Sequence, residues 1–466
     1  MKKALIFLLV LIFSVSSLTV FTGYKLHNEG KNVSYTVVSE YGDRSLLQGV
    51  SADIHYSHYE RLLWDVHYVP LQKPETKVSF QKIMKQNEAS PHYFGLTSVY
   101  FSLFDIKIFS EELYNSFQRA KKESAEGKGA VTLEIKMKDH FEYYPFLPEV
   151  DLPGINISYV ASPFLDSDRE GAYTYAGITK ERAEGFIKAL RDHIKIPVYE
   201  NDTRTTVIER SGSGHMYSSY YENVYEESFQ SQVFSDKLYF TVNNRTDPSE
   251  NNPSVLLDTS LIPGGYGIYS VPYSENDIIY ENMTTEMSLS PESTVLNLWG
   301  DEEKEELYLL IRENEACYFK VIDIKTMTEK FSERLFDYTD SDWVSFRGFG
   351  GFMLFIRNGI EMKLYEEEAN GQYKERLTYK EAEDNFIGLE YLLHNSEWAS
   401  DGERLVLFSV DSFPDSGDGR TNRHEIAVFT KDGLGYYLKE DCSLGEMITW
   451  NFSGFITVDE FSVNIQ

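Results

Sequence analysis

Four short apolar runs recur at nearly even spacing through the second half of the chain, and that periodicity limits the fold more than any other feature. Leu307-Tyr308-Leu309-Leu310-Ile311, Phe352-Met353-Leu354-Phe355-Ile356, Leu405-Val406-Leu407-Phe408 and Phe455-Ile456-Thr457-Val458 begin at positions 307, 352, 405 and 455, so they stand 45, 53 and 50 residues apart. Runs this short, rich in β-branched and aromatic residues and bounded by turn residues, read as strands. A strand-built repeat of ~40 to 50 residues is the blade period of a propeller, whose four-stranded sheets hide both faces only by stacking on neighbours. The interior of each repeat agrees. Residues 307–312, 318–324 and 330–338 make one meander, with the turn Lys325-Thr326-Met327-Thr328 inside it. Residues 351–357, 360–365 and 373–377 make the next, joined by the tight-turn dipeptides Asn358-Gly359 and Asn370-Gly371.

Earlier in the chain Val50, Ala52, Ile54 and Tyr56 alternate before a polar turn, and Leu62, Trp64, Val66 and Tyr68 alternate after it, which predicts a hairpin. Two helices interrupt the β pattern. One is expected over 110–126, with Ser110 as N-cap and Gly127 as stop; the other over 179–195, with Ile187, Leu190 and Ile194 at helical spacing and Pro197 beyond. The expected fold class is therefore all-β: a propeller-like array of antiparallel four-stranded sheets with short helical insertions. Residues 35–466, divided at ~45 to 60 per unit with the helical insertions allowed for, give about seven or eight blades. The repeat is clear only from about residue 225, so a subdivision there is the alternative to a single array.

Trp398-Ala399-Ser400-Asp401-Gly402-Glu403-Arg404-Leu405 resembles the Trp-Ser-Pro-Asp-Gly-Lys-x-Leu turn of TolB-like propeller repeats, and Leu289-Ser290-Pro291-Glu292-Ser293-Thr294-Val295-Leu296 resembles a degenerate copy. The first lacks the proline and the second the Asp-Gly. Together with Gly42-Asp43-Arg44-Ser45, the hairpin around Trp64, Tyr143-Tyr144-Pro145 and Gly264-Gly265-Tyr266-Gly267-Ile268-Tyr269, these segments resemble a group of uncharacterised, N-terminally anchored bacterial proteins with a TolB-like β-propeller exterior domain. The resemblance implies a fold and a location; it implies no catalytic residues.

The N-terminus carries the location signal. Met1-Lys2-Lys3 precedes an uncharged run of 21 residues, 4–24, closed by Lys25. At 1.5 Å per residue that run matches the ~30 Å hydrocarbon thickness of a bilayer, whereas a cleaved signal has an apolar core of only ~7 to 15 residues. Residues 1–24 are thus expected to be a signal-anchor helix, 25–34 a linker and 35–466 an extracytoplasmic domain of a single-pass membrane protein. Cleavage near Ser14-Val15-Ser16, giving a secreted form, is the alternative. Lys plus Arg is 44 against 74 Asp plus Glu, a formal charge of −30 that repels phosphate backbones and argues against nucleic acid as a partner. The densest acidic cluster, Asp301, Glu302, Glu303, Glu305 and Glu306, reads as a solvated turn. Two cysteines, Cys317 and Cys442, exclude a disulfide-rich scaffold and leave one long-range disulfide open.

No reactive constellation stands out. His193, His215, His394 and His424 are scattered without helical i, i+4 pairing, and Ser211-Gly212-Ser213-Gly214-His215 is too short for a phosphate-binding fingerprint. His55, His58 and His67 lie around the predicted hairpin, where His55 and His67 could approach as half a metal site; ordinary surface histidines are the competing reading. Asp411, Asp415 and Asp418 cluster on an expected loop and are the calcium candidates, although their spacing departs from the twelve-residue calcium loop. With 33 Tyr and 30 Phe, tracts such as Tyr217-Ser218-Ser219-Tyr220-Tyr221 and Phe141-Glu142-Tyr143-Tyr144-Pro145-Phe146 can stack on sugars or line a peptide groove, with core packing as their default role. No cofactor is expected. The sequence points to a binding or sensing protein with a protein or glycan partner in the cell envelope, and its rival is an envelope hydrolase or lyase acting on glycans or peptides.

Overall fold

A 28-residue helix, α1 (Lys2–Glu29), opens the chain and continues past Tyr24 into the segment expected to be linker. The fold, a computed structural model, is described for residues 2–29, 33–58, 62–80, 94–99, 110–128, 130–160, 172–211, 214–222, 228–247, 253–349, 351–380, 396–411, 422–444 and 456–465. Among residues whose side chains are described, which in α1 leaves out 2–5, 8–9 and 26–29, no helix is long and apolar enough to cross a membrane.

After α1 comes β1 (Ser34–Gly42), and then the meander β2 (Val50–His58), β3 (Leu62–Tyr68) and β4 (Glu75–Phe80). The hairpin expected around Trp64 is present, with Tyr56 opposite Trp64 and Ile54 opposite Val66. Its alternating apolar residues from Val50 to Tyr56 and from Trp64 to Tyr68 are all buried, at 0–3% exposure. Next stand β5 (Gly95–Val99), α2 (Glu111–Glu123), β6 (Val131–Lys136), α3 (Met137–His140), β7 (Leu147–Leu152), β8 (Ile155–Val160), β9 (Ala172–Ala176), α4 (Lys180–His193), β10 (Thr203–Ser211) and β11 (Gly214–Glu222). Both predicted helices form where their caps put them. Ser110 Oγ accepts from the Leu113 N–H and Thr179 Oγ1 from the Arg182 N–H, each at 3.3 Å, satisfying an otherwise orphaned donor of the first turn. α4 buries Ala183, Phe186, Ile187 and Leu190 as one stripe.

The remaining strands are β12 (Phe229–Val233), β13 (Lys237–Val242), β14 (Gly267–Ser274), β15 (Asp277–Ile278), β16 (Thr284–Ser288), β17 (Thr294–Asp301), β18 (Glu306–Glu313), β19 (Ala316–Asp323), β20 (Thr328–Asp337), β21 (Val344–Phe349), β22 (Phe352–Arg357), β23 (Glu361–Glu367), β24 (Tyr373–Lys380), β25 (Ser396–Ser400), β26 (Arg404–Asp411), β27 (Asn422–Thr430), β28 (Gly433–Ser443) and β29 (Ile456–Ile465). Every strand pairing is antiparallel, and seven sheets form among the described residues. Sheet I is β29-β2-β3-β4, sheet II β5-β7-β8-β9, sheet III β12-β13-β14-β15 with β16 on β14, sheet IV β17 to β20, sheet V β21 to β24, and sheet VI β25 to β28 with β1 on its outer edge. The seventh, β6-β10-β11, has three strands and no meander order.

Six propeller-type meanders are thus described, where dividing length by blade period gave about seven or eight. The helices were allowed for in that division; the difference arises because the three-stranded sheet uses residues that it assigned to a blade. The runs at 307, 352 and 405 are the second strands of sheets IV, V and VI. Residues 456–458 of the last run fall instead on β29, which pairs with β2 to complete a sheet from two distant parts of the chain. The Trp398 turn joins β25 to β26: Gly402 takes φ +86°, and Asp401 Oδ1 accepts the Glu403 and Arg404 N–H groups at 3.0 and 2.7 Å. The segment 289–296 is not its counterpart, because it links sheet III to sheet IV. That place in sheet IV belongs to the acidic cluster after Trp299, which forms the β17–β18 turn with Asp301 Oδ1 accepting from the Lys304 N–H at 3.1 Å.

The chain divides into two units, one of residues 1–90 and 343–466 and the other of residues 91–342. Sheets I, V and VI belong to the first; sheets II, III, IV and the three-stranded sheet to the second. Residue 225, near which the sequence suggested a subdivision, lies outside the described residues. In the first unit sheets I and VI share one core, which includes Ile54, Val66, Phe408, Ile426 and Leu438. In the second, sheets III and IV share Ile268, Leu298, Leu307, Leu309 and Ile311. Burying each such side chain contributes about 1.5–3 kcal/mol.

Candidate functional site

Within the first unit, several chain connections leave one end of sheets I and VI. Strand registers put His58 opposite Ile456 and Leu62, Asn422 opposite Cys442, and Ser396 opposite Ser409. β2, β26 and β28 therefore end here, and β3, β25, β27 and β29 begin here. Loop-bearing sheet ends are where binding surfaces are usually built.

Directly inside that end, between the two sheets, lies a buried polar nest. Tyr56, third from the end of β2, hydrogen-bonds through its hydroxyl to Nε2 of His424, third residue of β27. Tyr68 donates to Glu440 Oε2 at 2.5 Å. The rings of Tyr35, Tyr56, Tyr68 and Phe408 surround the imidazole with centroids 5.0–6.2 Å away. His424, Glu440 and Cys442 are 0–2% exposed. Burial depresses His424 to about 3, so the imidazole is neutral at physiological pH. Burial also raises the Tyr56 and Tyr68 hydroxyls well above their ordinary value and pushes the Cys442 thiol to about 12. Trp64 Nε1, Asn422 Nδ2 and His424 Nδ1 have no hydrogen-bond partner among the described residues. The nest is thus only partly hydrogen-bonded, and its histidine, tyrosines and thiol are held away from proton transfer near neutrality.

Glu440 runs the other way. Burial raises its carboxyl and the charge of Glu40 adds to that, against the lowering bond from Tyr68. Glu40, by contrast, is held low by the Arg44 guanidinium and the Tyr436 hydroxyl.

On the exposed face of sheet I, His55 stands opposite Asp65 and His67 opposite Asp53. Each imidazole gives its Nδ1 to the facing aspartate, at 2.9 and 2.7 Å. The expected approach of His55 to His67 is thus replaced by two separate histidine–aspartate pairs, because the antiparallel register puts the histidines on a diagonal. The His58 side chain is outside the described residues. Of the calcium candidates, Asp411 ends β26 opposite Arg423, and Asp415 and Asp418 lie outside the described residues. Among the described residues no group of three His, Cys, Asp or Glu side chains is arranged to hold a metal ion.

Cys317 and Cys442 are free, buried thiols. His193 packs edge-on to Tyr269, with centroids 5.5 Å apart, and burial lowers its pKa; His394 and the His215 side chain lie outside the described residues. In the 141–146 tract, Tyr144 and Phe146 are core residues at 5% and 3% exposure, and Lys195 sits over the Tyr143 ring at 5.6 Å. The side chains of the 217–221 tract are outside the described residues. The nest itself had one faint sequence signal: His424 occupies an inward position of a strand whose other inward residues, Ile426 and Val428, are aliphatic.

No protein-family model matches the chain, and no curated protein matches it. Among solved structures it is similar to a putative 6-phosphogluconolactonase from Bacteroides uniformis, at 9% identity and a TM-score of 0.27, over 90% of this chain and 100% of that one. It is also similar to the periplasmic gluconolactonase PpgL of Pseudomonas aeruginosa, at 9% identity and 0.23 over 88% and 98%, and to TolB from Acinetobacter baumannii, at 9% and 0.22 over 89% and 82%. At such scores these likenesses carry no argument about function.

Proposed function

We propose that the protein is a membrane-anchored, extracytoplasmic, propeller-like protein that binds or senses a partner in the cell envelope. The observation that supports this reading is the buried nest between the strand ends of sheets I and VI, whose histidine, tyrosines and thiol are shifted away from neutral pKa values. Such an interior ties the two sheets together and offers no histidine, tyrosine or thiol for acid–base catalysis near neutrality. The anchor rests on the 21 uncharged residues between Lys3 and Lys25, and the extracytoplasmic placement on the lysines that precede them.

The rival reading, an envelope hydrolase or lyase, draws on the Glu40 and Glu440 carboxyls, whose environments push their pKa values apart as in acid–base pairs. Against it, Glu440 is only 2% exposed and already engaged by Tyr68, so a substrate does not reach it.

The test has two arms. The full chain is expected to sediment with membranes, to be released by detergent, and to be cut by protease added outside spheroplasts. Residues 25–466 are expected to bind a peptide or glycan fraction of the envelope and leave it chemically unchanged. Recovery from the cytosol overturns the location. Turnover of glycans or peptides by the purified chain overturns the binding role, and N-terminal sequencing of the mature protein separates the anchored from the cleaved form.

A further inference from the structure

We propose that Arg245 and Arg312, at one end of sheets III and IV, form a binding site for an anionic group of the carboxylate or phosphate type.

The two guanidinium groups converge on a single acceptor. Arg312 Nη1 pairs with Asp340 Oδ1, and Arg245 Nη1 stands 4.0 Å from the same oxygen. Both groups are fixed from behind: Arg245 Nε donates to Thr294 Oγ1 at 2.9 Å, and Arg312 Nε to the Asn314 carbonyl at 3.1 Å. Thr294 faces Arg312 across the β17–β18 ladder and itself donates to Asn244 Oδ1 at 2.8 Å, so the frame behind the arginines is tied into the sheet. The Arg312 guanidinium also lies 5.4 Å over the Tyr338 ring. Each guanidinium is anchored at Nε, and neither Nη2 makes a hydrogen bond among the described residues.

Charge decides what this arrangement takes. Two cations share one carboxylate in a chain whose formal charge is −30. Asp342, close by, accepts the Thr339 N–H and hydroxyl through Oδ2 at 2.6 and 2.9 Å. The Arg245 and Arg312 side chains are 15% and 11% exposed, so water screens their repulsion poorly. Burial, and then the Arg312 charge, lower the Arg245 pKa. A planar anion with two acceptor oxygens relieves that repulsion and matches the fork geometry. A site made only to staple two sheets needs no surplus cation. The site lies in the second unit and owes nothing to the reading of sheets I and VI.

The experiment is thermal unfolding of the purified full chain, at fixed pH and ionic strength, titrated separately with inorganic phosphate, acetate and chloride. Phosphate or acetate is expected to raise the Tm in a saturable way while chloride does not, and the one that acts names the class of group. Arg245→Gln and Arg312→Gln are each expected to weaken that binding by about tenfold or more, the loss of a charge-assisted contact. Asp340→Asn, which removes the competing carboxylate, is expected to strengthen it. A Tm equally insensitive to all three salts overturns the proposal, as does a response unchanged in the arginine variants. If those variants do not fold, Asp340→Asn decides alone: tighter anion binding supports the site, and lost stability with no gain in binding makes the three residues a structural staple.

Discussion

Between sheets I and VI the buried residues include His424, Glu440, Tyr56, Tyr68 and Cys442, whereas between sheets III and IV the facing residues are chiefly Ile268, Val295, Leu298, Leu307, Leu309 and Ile311. Both interiors come from the same antiparallel meanders. In the aliphatic one, stability comes from area removed from water and from close packing, neither of which depends on protonation. In the polar one, part of it depends on keeping an imidazole neutral and its neighbours hydrogen-bonded. One sheet architecture therefore hosts a pH-indifferent interior and a pH-dependent one.

The sharpest way to break this contrast begins with the aliphatic side. Leu309→Ala, at a fully buried position of β18, is expected to cost about 3 kcal/mol through lost transfer energy and the cavity left behind. Urea unfolding at pH 7.5 and 5.5 should give the same loss, and a strong pH dependence of that loss would contradict the contrast.

The polar side gives a smaller effect with a definite sign. His424 holds a pKa of about 3 when folded against 6.5 ordinarily, so on acidification the unfolded chain takes up the proton first. The stability tied to neutral His424 is complete above pH 6.5 and drains as pH falls toward 3. From pH 6.5 to 5 the wild type is expected to lose about 2 kcal/mol more than His424→Gln, at 1.36 kcal/mol per pKa unit. Parallel pH profiles for the two proteins would show that the imidazole is not sealed from water.

The smallest effects compare the first turn of sheet VI with that of sheet IV. Gly402 carries φ +86° in one, and Glu305 carries φ +56° in the other, where only glycine is free of strain. A Cβ on Gly402 meets nothing nearer than Glu366 Oε2 at 3.7 Å, so Gly402→Ala should cost only the backbone term, about 1 kcal/mol. Glu305→Gly should be neutral or gain about 0.5 kcal/mol, since the exposed Lys325 pair it removes is worth little. Denaturation midpoints for both variants measure the difference, and a destabilising Glu305→Gly would mean that the acidic turn has a role beyond closing the hairpin.

How much of this was legible follows the range of the physics involved. The hairpin around Trp64, the cap at Ser110, the helix after Thr179 and the Asn358-Gly359 turn are set by neighbours a few residues away, and each stands where the sequence put it. The blade count was less legible, because the sequence does not reveal that β6, β10 and β11, among the residues between β5 and β12, build a three-stranded sheet instead of another meander. The partners of His55 and His67 depended on register, which a single-residue shift reverses.

By itself the sequence determined the β class, the repeat, the helical interruptions and an N-terminal run of bilayer length, since each follows from periodicity and local backbone preference. Only the tertiary structure decided that the last strand pairs beside Val50–His58, that Tyr56 and Glu440 meet around His424, and that Arg245 shares an aspartate oxygen with Arg312. Those contacts join residues from 28 to more than 400 positions apart. Nothing in the intervening chain specifies such meetings; they arise when separate apolar faces find one another and carry a few polar groups inside with them.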